Sequence, residues 1–432
     1  MYKTNINIFR LFKTNKVANR FVKVFSVDAL VKGAVFLLLP LYLRLMTQSE
    51  VGTFNYLFTF IQTLTGLLCF GLTTPQSKLY FDYQGKERGQ LLFSINLILV
   101  IFLAILLVPI YYFRLDFKII EFLFDQPIPY HKYRLVLLLA ILISVGSSML
   151  FNYLLTSENI RKVQRYNLLR LLVDNGVVIA ILYFSDGDKV FYRLTAYYLC
   201  EAFLLLCFVP IYIKQFVLSF NFNLVKRIFS LSLPMFVTVV ISTVYMFSDK
   251  FFIQQKTDMN VLATYTTGVM IASVCSLIIT SFQNIWLPIF FQEKKLEENV
   301  RKTKKMIGII VIVFTGIALM MIIATKAALM FNIIPVEYEN VLIILPFLFL
   351  SQIILAVNAM WSNYFAYFER LILGAFTGGS VYVFGFILNL LLIPHYGVSG
   401  AIVALLTGNV VLATAVYFQV KKIINNKLQQ SI

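Results

Sequence analysis

Residues 233–255 read LPMFVTVVISTVYMFSDKFFIQQ, and the fifteen positions before Asp249 carry no charge. A run of about 20 apolar residues is what a helix needs to cross a hydrocarbon core of about 30 Å. An acid and a base, Asp249 and Lys250, interrupt it near its end. A charge inside a bilayer is costly enough to mark a functional site unless its depth accounts for it. Depth accounts for part: a helix entering the core near Ser230 carries Asp249 about 28 Å along its axis, close to the far headgroups. Neighbouring helical positions diverge by about 100°, so one of the two is expected to face a cavity.

Eleven further stretches read the same way. Together the spans are 24–46, 54–74, 90–112, 134–157, 167–185, 192–213, 230–253, 262–291, 305–325, 337–366, 373–393 and 397–420. Hydrophobic residues make up 60% of the chain, charged ones only 13%, and the mean hydropathy is +0.83. A soluble globule of that composition would expose too much apolar surface. The runs are continuous and lack the alternation of barrel strands. The expected fold is therefore all-α, a polytopic membrane bundle of about twelve transmembrane helices.

The N-terminal segment, the 292–305 loop, the other even-numbered connections and the C-terminal tail together hold about 25 of the 37 basic residues, against about 9 on the opposite side. The positive-inside rule then puts both termini in the cytoplasm. The net charge of +17 follows from that topology and from anionic lipid, and gives no reason to expect a nucleic-acid partner. The N-terminus lacks a short apolar core followed by a small-residue cleavage site, so the first segment reads as an uncleaved anchor. Cys69, Cys200, Cys207 and Cys275 lie in apolar segments without metal-like spacing, so no metal site is expected. The two histidines, His131 and His395, fall in outward connections, and no zincin motif, nucleophile elbow or phosphate loop is present.

An internal repeat organises the spans. LPLYLRLMTQSEVGTFNYLFTFIQTL (39–64) can be set beside residues 233–274, so that EVGTFNYLFTF meets VLATYTTGVMI at a separation of 211. In both, an apolar helix ends in charge, passes a polar turn and enters the next helix through a threonine-aromatic step. Six segments per half is an even number, so the halves share one orientation. The expected division is a basic segment 1–23, a first lobe 24–213, a linker 214–229, a second lobe 230–420 and a tail 421–432.

Several stretches resemble one family when taken in order: LPLYLRLMTQSEVGTFNYL (39–57), LSLP (231–234) with SDKFFI (248–253), NIWLPIFFQ (284–292), YENVLIILPFLFLS (338–351) and NLLLIPHYGVSGAIVALLTG (389–408). From about residue 24 to 420 the chain is similar to the polysaccharide transporter family. This family comprises the Wzx-type flippases of O-antigen and capsule repeat units, in the superfamily of multidrug and toxic compound extrusion transporters and lipid flippases. The resemblance implies a two-lobe carrier, not an enzyme, moving an undecaprenyl-diphosphate-linked oligosaccharide from the inner to the outer leaflet by alternating access. Its implied partners are that lipid-linked oligosaccharide, membrane lipids, and a polysaccharide polymerase with other assembly proteins. Lys250 departs from the arginine more usual in the family, which bears on any role needing a bidentate fork.

Such a substrate asks for cations at its diphosphate and for amides and hydroxyls at its sugars. Lys32, Arg44 and Lys250 are the cationic candidates, and Asn284, Asn358 and Asn389 are the amide candidates. Snorkelling to the interface is an equal reading of Arg44, and an i,i+4 pair with Asp28 is one of Lys32. Asp28, Asp174, Glu201 and Asp249 are candidate sites for a coupling H⁺ or Na⁺, with no other cofactor expected. Hydrogen-bonded helix contacts are the alternative for Asp174 and Glu201. Two other functions stay open: a drug or cation antiporter on the same fold, and a polysaccharide polymerase or ligase. The second would want a sizeable outward loop bearing catalytic bases or arginines.

Overall fold

The structure of the protein is a computed structural model that describes residues 33–34, 36–124, 129–157, 159–219, 221–293 and 295–429. Lipid cannot hydrogen-bond a peptide group, so an apolar chain must satisfy its backbone internally, and helices do so within one segment. The described residues accordingly form helices: α1 Phe36–Leu45, α2 Gln48–Leu68, α3 Thr73–Leu79, α4 Gly85–Tyr112, α5 Leu115–Leu123, α6 Tyr130–Thr156, α7 Ile160–Phe184, α8 Lys189–Ile213, α9 Phe222–Lys256, α10 Met259–Ala272, α11 Val274–Gln292, α12 Leu296–Met330, α13 Val341–Tyr367 and α14 Leu371–Gln429.

Among the described residues nine helices are long and apolar enough to span a membrane, or ten if the bent pair α2 and α3 is one span. The expected twelve is not reached on that criterion alone. Two more segments stand where the first and last were expected: α1, and the part of α14 beyond a break at Gly397 (φ 54°, ψ −132°).

Helix ends depart from the apolar runs for local reasons. α2 begins at Gln48 rather than 54 because Thr47 and Glu50 form a capping box, in which the Thr47 amide donates to Glu50 Oε2 (2.8 Å) and the Glu50 amide donates to Thr47 Oγ1 (3.3 Å). A 51° bend separates α2 from α3 at Phe70 and Gly71, both at positive φ. A Cβ on Gly71 would stand 2.6 Å from the Ser232 carbonyl oxygen, so only glycine lets α9 approach the bend. The expected segment 262–291 is two helices that meet at Ser273 and together supply one of the nine spans, Met259–Gln283.

Hydrogen bonds between connections establish which ends lie together. Gln48 Nε2 donates to Thr264 Oγ1 (2.9 Å) and to the Glu337 carbonyl (3.0 Å), Lys132 Nζ to Asp188 (2.8 Å), and Gln255 Nε2 to the Phe122 carbonyl (2.9 Å). This is the distal side. On the side of the C-terminus, Arg227 Nη2 pairs with Asp82 (2.8 Å) and Tyr367 OH donates to the Glu293 carbonyl (3.2 Å). The helices form two lobes in contact through α2, α3 and α4 of the first and α9 and α10 of the second. α2 is the hub, packing on α6 and α8 of its own lobe and on α9 and α10 of the other, with Tyr56, Leu57 and Ile61 fully buried. Below Ser273, α11 packs on α12 and α13 within the second lobe.

Candidate functional site

The first lobe carries a polar column along one face of α8, where Arg193, Tyr197 and Glu201 recur every fourth residue and so stack above one another. α7 meets it with Arg170 and Asp174, also four apart. Arg170 pairs through Nη2 with Glu201 Oε1, through Nε with Asp174 Oδ2 (3.4 Å), and donates to Tyr197 OH (3.1 Å). One guanidinium thus serves two carboxylates. The acid side chains are 7% and 4% exposed, that of Arg170 39%. Asp174 Oδ1 and Glu201 Oε2 are buried and lack a hydrogen-bond partner among the described residues. With both acids ionised the triad has one negative charge in excess, and a buried uncompensated charge is costly. A proton or a small cation on those two oxygens would remove the excess.

Arg193, at the distal end of the column, is held differently. Its guanidinium lies 4.1 Å from the Tyr42 ring centroid and 3.8 Å from that of Phe54, and Nη1 reaches Met46 Sδ at 3.4 Å. Among the described residues it has no carboxylate partner. Aromatic faces favour the cation without neutralising it, and a guanidinium stays protonated in any protein setting. Lys189, one turn before it, donates to the Leu45 carbonyl (2.6 Å). Tyr42 OH donates to Asn175 Oδ1 (3.2 Å), which joins α1 to α7, the helix that carries Arg170 and Asp174. The arrangement can take an anion at Arg193 and a cation or proton at Asp174 and Glu201.

The other sequence candidates fall apart in space. Arg44 is exposed and makes no ion pair or hydrogen bond among the described residues. Asp249 and Lys250 leave the helix about 100° apart, and one of them was expected to face a cavity. Instead the lysine stem folds back along the helix, so that Nζ lies 3.0 Å from Asp249 Oδ1 and donates to the Met246 carbonyl (3.2 Å), while Tyr265 OH donates to Asp249 Oδ2 (2.7 Å). The pair is self-neutralised. Asn389 is buried and spends its amide on Ser248 Oγ of α9 (2.8 Å), and Asn358 accepts from Ser362 Oγ (3.5 Å). Asn363 Nδ2 donates to Gln283 Oε1 across α11 and α13 (3.0 Å). The Asn284 side chain, Lys32 and Asp28 lie outside the described residues.

Sequence reasoning missed Arg170, Arg193 and Tyr197. Arg170 left a readable signal, its i,i+4 spacing to Asp174 inside an apolar segment. Arg193 sits one turn into α8 and reads like a helix-end charge.

Comparisons with known proteins agree with this architecture. No curated protein sequence matches the chain. Of solved structures, a lipid II flippase MurJ in an inward closed conformation superposes with a TM-score of 0.75 at 14% identity, covering 93% of this chain and 87% of that one. An inward-facing multidrug resistance MATE family transporter of the MOP superfamily gives 0.62 at 14% identity, covering 94% and 100%. A MOP superfamily transporter from Pyrococcus furiosus gives 0.61 at 15%, covering 94% and 95%. At these identities the likeness is one of fold. The family model described as "Polysaccharide biosynthesis protein" matches residues 21–294, more than half of the sequence, and the chain belongs to that family.

Proposed function

We infer that this multi-pass membrane protein is a flippase for lipid-linked oligosaccharide repeat units, carrying an undecaprenyl-diphosphate-linked glycan from the inner to the outer leaflet of a bacterial cytoplasmic membrane. Membership of a polysaccharide biosynthesis family is the observation that carries the reading. The geometry supports it at the polar end of such a substrate. Among the described residues Arg193 is a cation without an acid, and a planar fork suits a diphosphate oxygen pair. In this reading both termini are cytoplasmic, so the distal clasp of Gln48 closes the outer face while glycan loads from the inside.

Transport against a gradient needs a coupled ion. Asp174 and Glu201 are the proposed site, because their free oxygens are buried beside an arginine that cannot satisfy both. A bound H⁺ or Na⁺ shifts the balance of inward and outward states only by its differential affinity for them. The test is uptake of a labelled lipid-linked glycan by proteoliposomes under imposed proton or sodium gradients. The parent should respond to one gradient, and Asp174→Asn or Glu201→Gln should lose that response while still binding the glycan. An antiporter of organic cations, the reading those acids also favour, predicts instead that export of such cations, and not of glycan, responds to the gradient. Glycan movement absent under every gradient would refute the flippase reading.

A further inference from the structure

We propose that the distal closure holds one small inorganic anion, chloride, between the Arg193 guanidinium of the first lobe and the Tyr338 hydroxyl of the second. The two residues come from opposite lobes to the same end of α2. Arg193 lies 3.8 Å from the ring centroid of Phe54, on the second turn of α2. On the first turn, Gln48 Nε2 donates to the Glu337 carbonyl (3.0 Å). That bond docks the 3-10 turn Val336–Tyr338, which leads from α12 into α13, and Tyr338 and Arg193 are electrostatic neighbours there.

Both are donors in want of an acceptor. Tyr338 is 1% exposed, and its hydroxyl has no hydrogen-bond partner among the described residues. A buried polar group left unpaired is rare and costly. The guanidinium carries five N–H donors, yet the one acceptor it reaches among the described residues is Met46 Sδ (3.4 Å), and a thioether accepts weakly. Tyr42 and Phe54 offer it ring faces, which attract the charge without balancing it. Water would satisfy the hydroxyl and leave the charge as it is. A monovalent anion does both: it accepts from the O–H and the N–H groups and balances the single positive charge. Chloride is spherical, so it asks no fixed geometry of a fork and a phenol that approach from two lobes. Tyr42, Met46 and Phe54 around the guanidinium are all buried, which leaves no passage for a lipid-linked diphosphate while the distal ends are together. Chloride therefore occupies Arg193 when the distal side is closed and no glycan is loaded. Because it touches both lobes, it favours that closed state by its greater affinity for it.

The experiment uses the full chain purified in detergent without glycan, in sodium chloride or sodium gluconate at equal ionic strength. A ligand of the folded protein raises its melting temperature, so the parent should melt several degrees higher in chloride, with saturation. Tyr338→Phe removes only the hydroxyl. It should lose most of that increment, yet melt no lower than the parent in gluconate, since an unpaired buried O–H contributes no stability. Arg193→Gln should lose the increment as well. In a Thr264→Cys background, at the position whose hydroxyl accepts from Gln48 Nε2 (2.9 Å), labelling by maleimide should be severalfold slower in chloride than in gluconate. Adding Tyr338→Phe should erase that difference. Equal melting temperatures or equal labelling rates in the two salts would overturn the proposal. So would an increment of the parent's size in Tyr338→Phe, or a lower melting temperature for that variant in gluconate, which would mean that the hydroxyl already has a partner. Should Arg193→Gln fail to fold, Tyr338→Phe still gives the answer. The flippase reading is tested with glycan and stands or falls apart from these results.

Discussion

Asn55 Nδ2 donates to Thr266 Oγ1 at 3.0 Å, and the two residues are the mates of the internal repeat, 211 positions apart. Their neighbours one turn back, Gly52 and Ala263, are mates at the same separation, and a Cβ on Gly52 would stand 3.3 Å from the Ala263 nitrogen and 2.0 Å from the Met259 carbonyl oxygen. In a self-complementary contact the residues that touch their own counterparts lie at the two-fold axis. The pseudo-axis of the two lobes thus runs through the crossing of α2 and α10, on the distal side.

The clasp at this crossing should be separable into a packing part and a hydrogen-bond part. Gly52→Leu has no room and should cost about 1–3 kcal/mol through overpacking. A cysteine placed at Thr264 should then react faster with an impermeant maleimide from the distal side. Asn55→Ala with Thr266→Ala, run as a double-mutant cycle on thermal unfolding in detergent, should return a coupling of about 0.5–1.5 kcal/mol. Additive losses would mean that the 3.0 Å contact contributes nothing to closure.

The Arg170 triad predicts a non-additive series. Arg170→Leu strands two buried carboxylates, and removing one partner of a buried pair costs about 3–5 kcal/mol, toward the lower end here because the arginine is partly exposed. The triple variant Arg170→Leu, Asp174→Asn, Glu201→Gln should recover most of that loss, since no buried charge is left unpaired. Melting temperatures in detergent check the order: parent, then triple, then single. A single variant as stable as the parent would show that the acids are already neutral.

Helix α5 should be insensitive to pH until strong acid. Burial raises the Asp116 carboxyl, but the hydrogen bonds from Arg134 and Tyr130 outweigh it and hold the group below its ordinary 3.8. A depressed folded value means that the contribution is complete above that ordinary value and is lost as pH falls through the lower, folded one. Amide exchange over residues 115–123 should therefore stay slow from pH 7 to about 4 and quicken only below. Asp116→Asn should show the quickened exchange already at pH 7.

Membrane orientation can be read independently. Compartment reporters fused at residues 300 and 427 should report cytoplasm, and those at 125 and 258 the opposite side. A reversed result at 300 would invert the charge argument and with it the direction of transport.

How much of this was legible in the sequence depends on the range of the interaction. Helix existence follows from apolar runs, and the boundary near Gly397 was visible in them. The repeat register of 211 was legible because α2 and α10 keep the same turn chemistry. The α2 start was also readable, since TQSE is a threonine followed three residues later by glutamate. The break at Ser273 was not, because neither glycine nor proline marks IASVCS. Asp174 and Glu201 stood out as acids in apolar segments, but their common partner is a matter of how α7 lies on α8. The pairing of Asp249 with Lys250 was not legible, because it depends on a long lysine stem folding back against the divergence that helical geometry gives to the two Cβ atoms.

Arg193 carries the last prediction. A half-buried cation held by Tyr42 and Phe54, with no acid beside it among the described residues, keeps its charge for a visiting anion. A hydrogen bond to a charged group is worth about 1.5–3 kcal/mol, so losing one should weaken glycan export roughly 10- to 100-fold. Arg193→Ala should therefore reduce export in a strain lacking the native gene, at unchanged protein level. Arg193→Lys keeps the charge but not the planar fork, and should fall between the two. Arg44→Ala is the control: an exposed arginine without an ion pair or hydrogen bond among the described residues should leave export within about twofold, the scale of surface substitutions. If Arg44→Ala abolishes export and Arg193→Ala does not, the anion travels along α1 and the aromatic clamp on Arg193 serves only to pack α8 against α2.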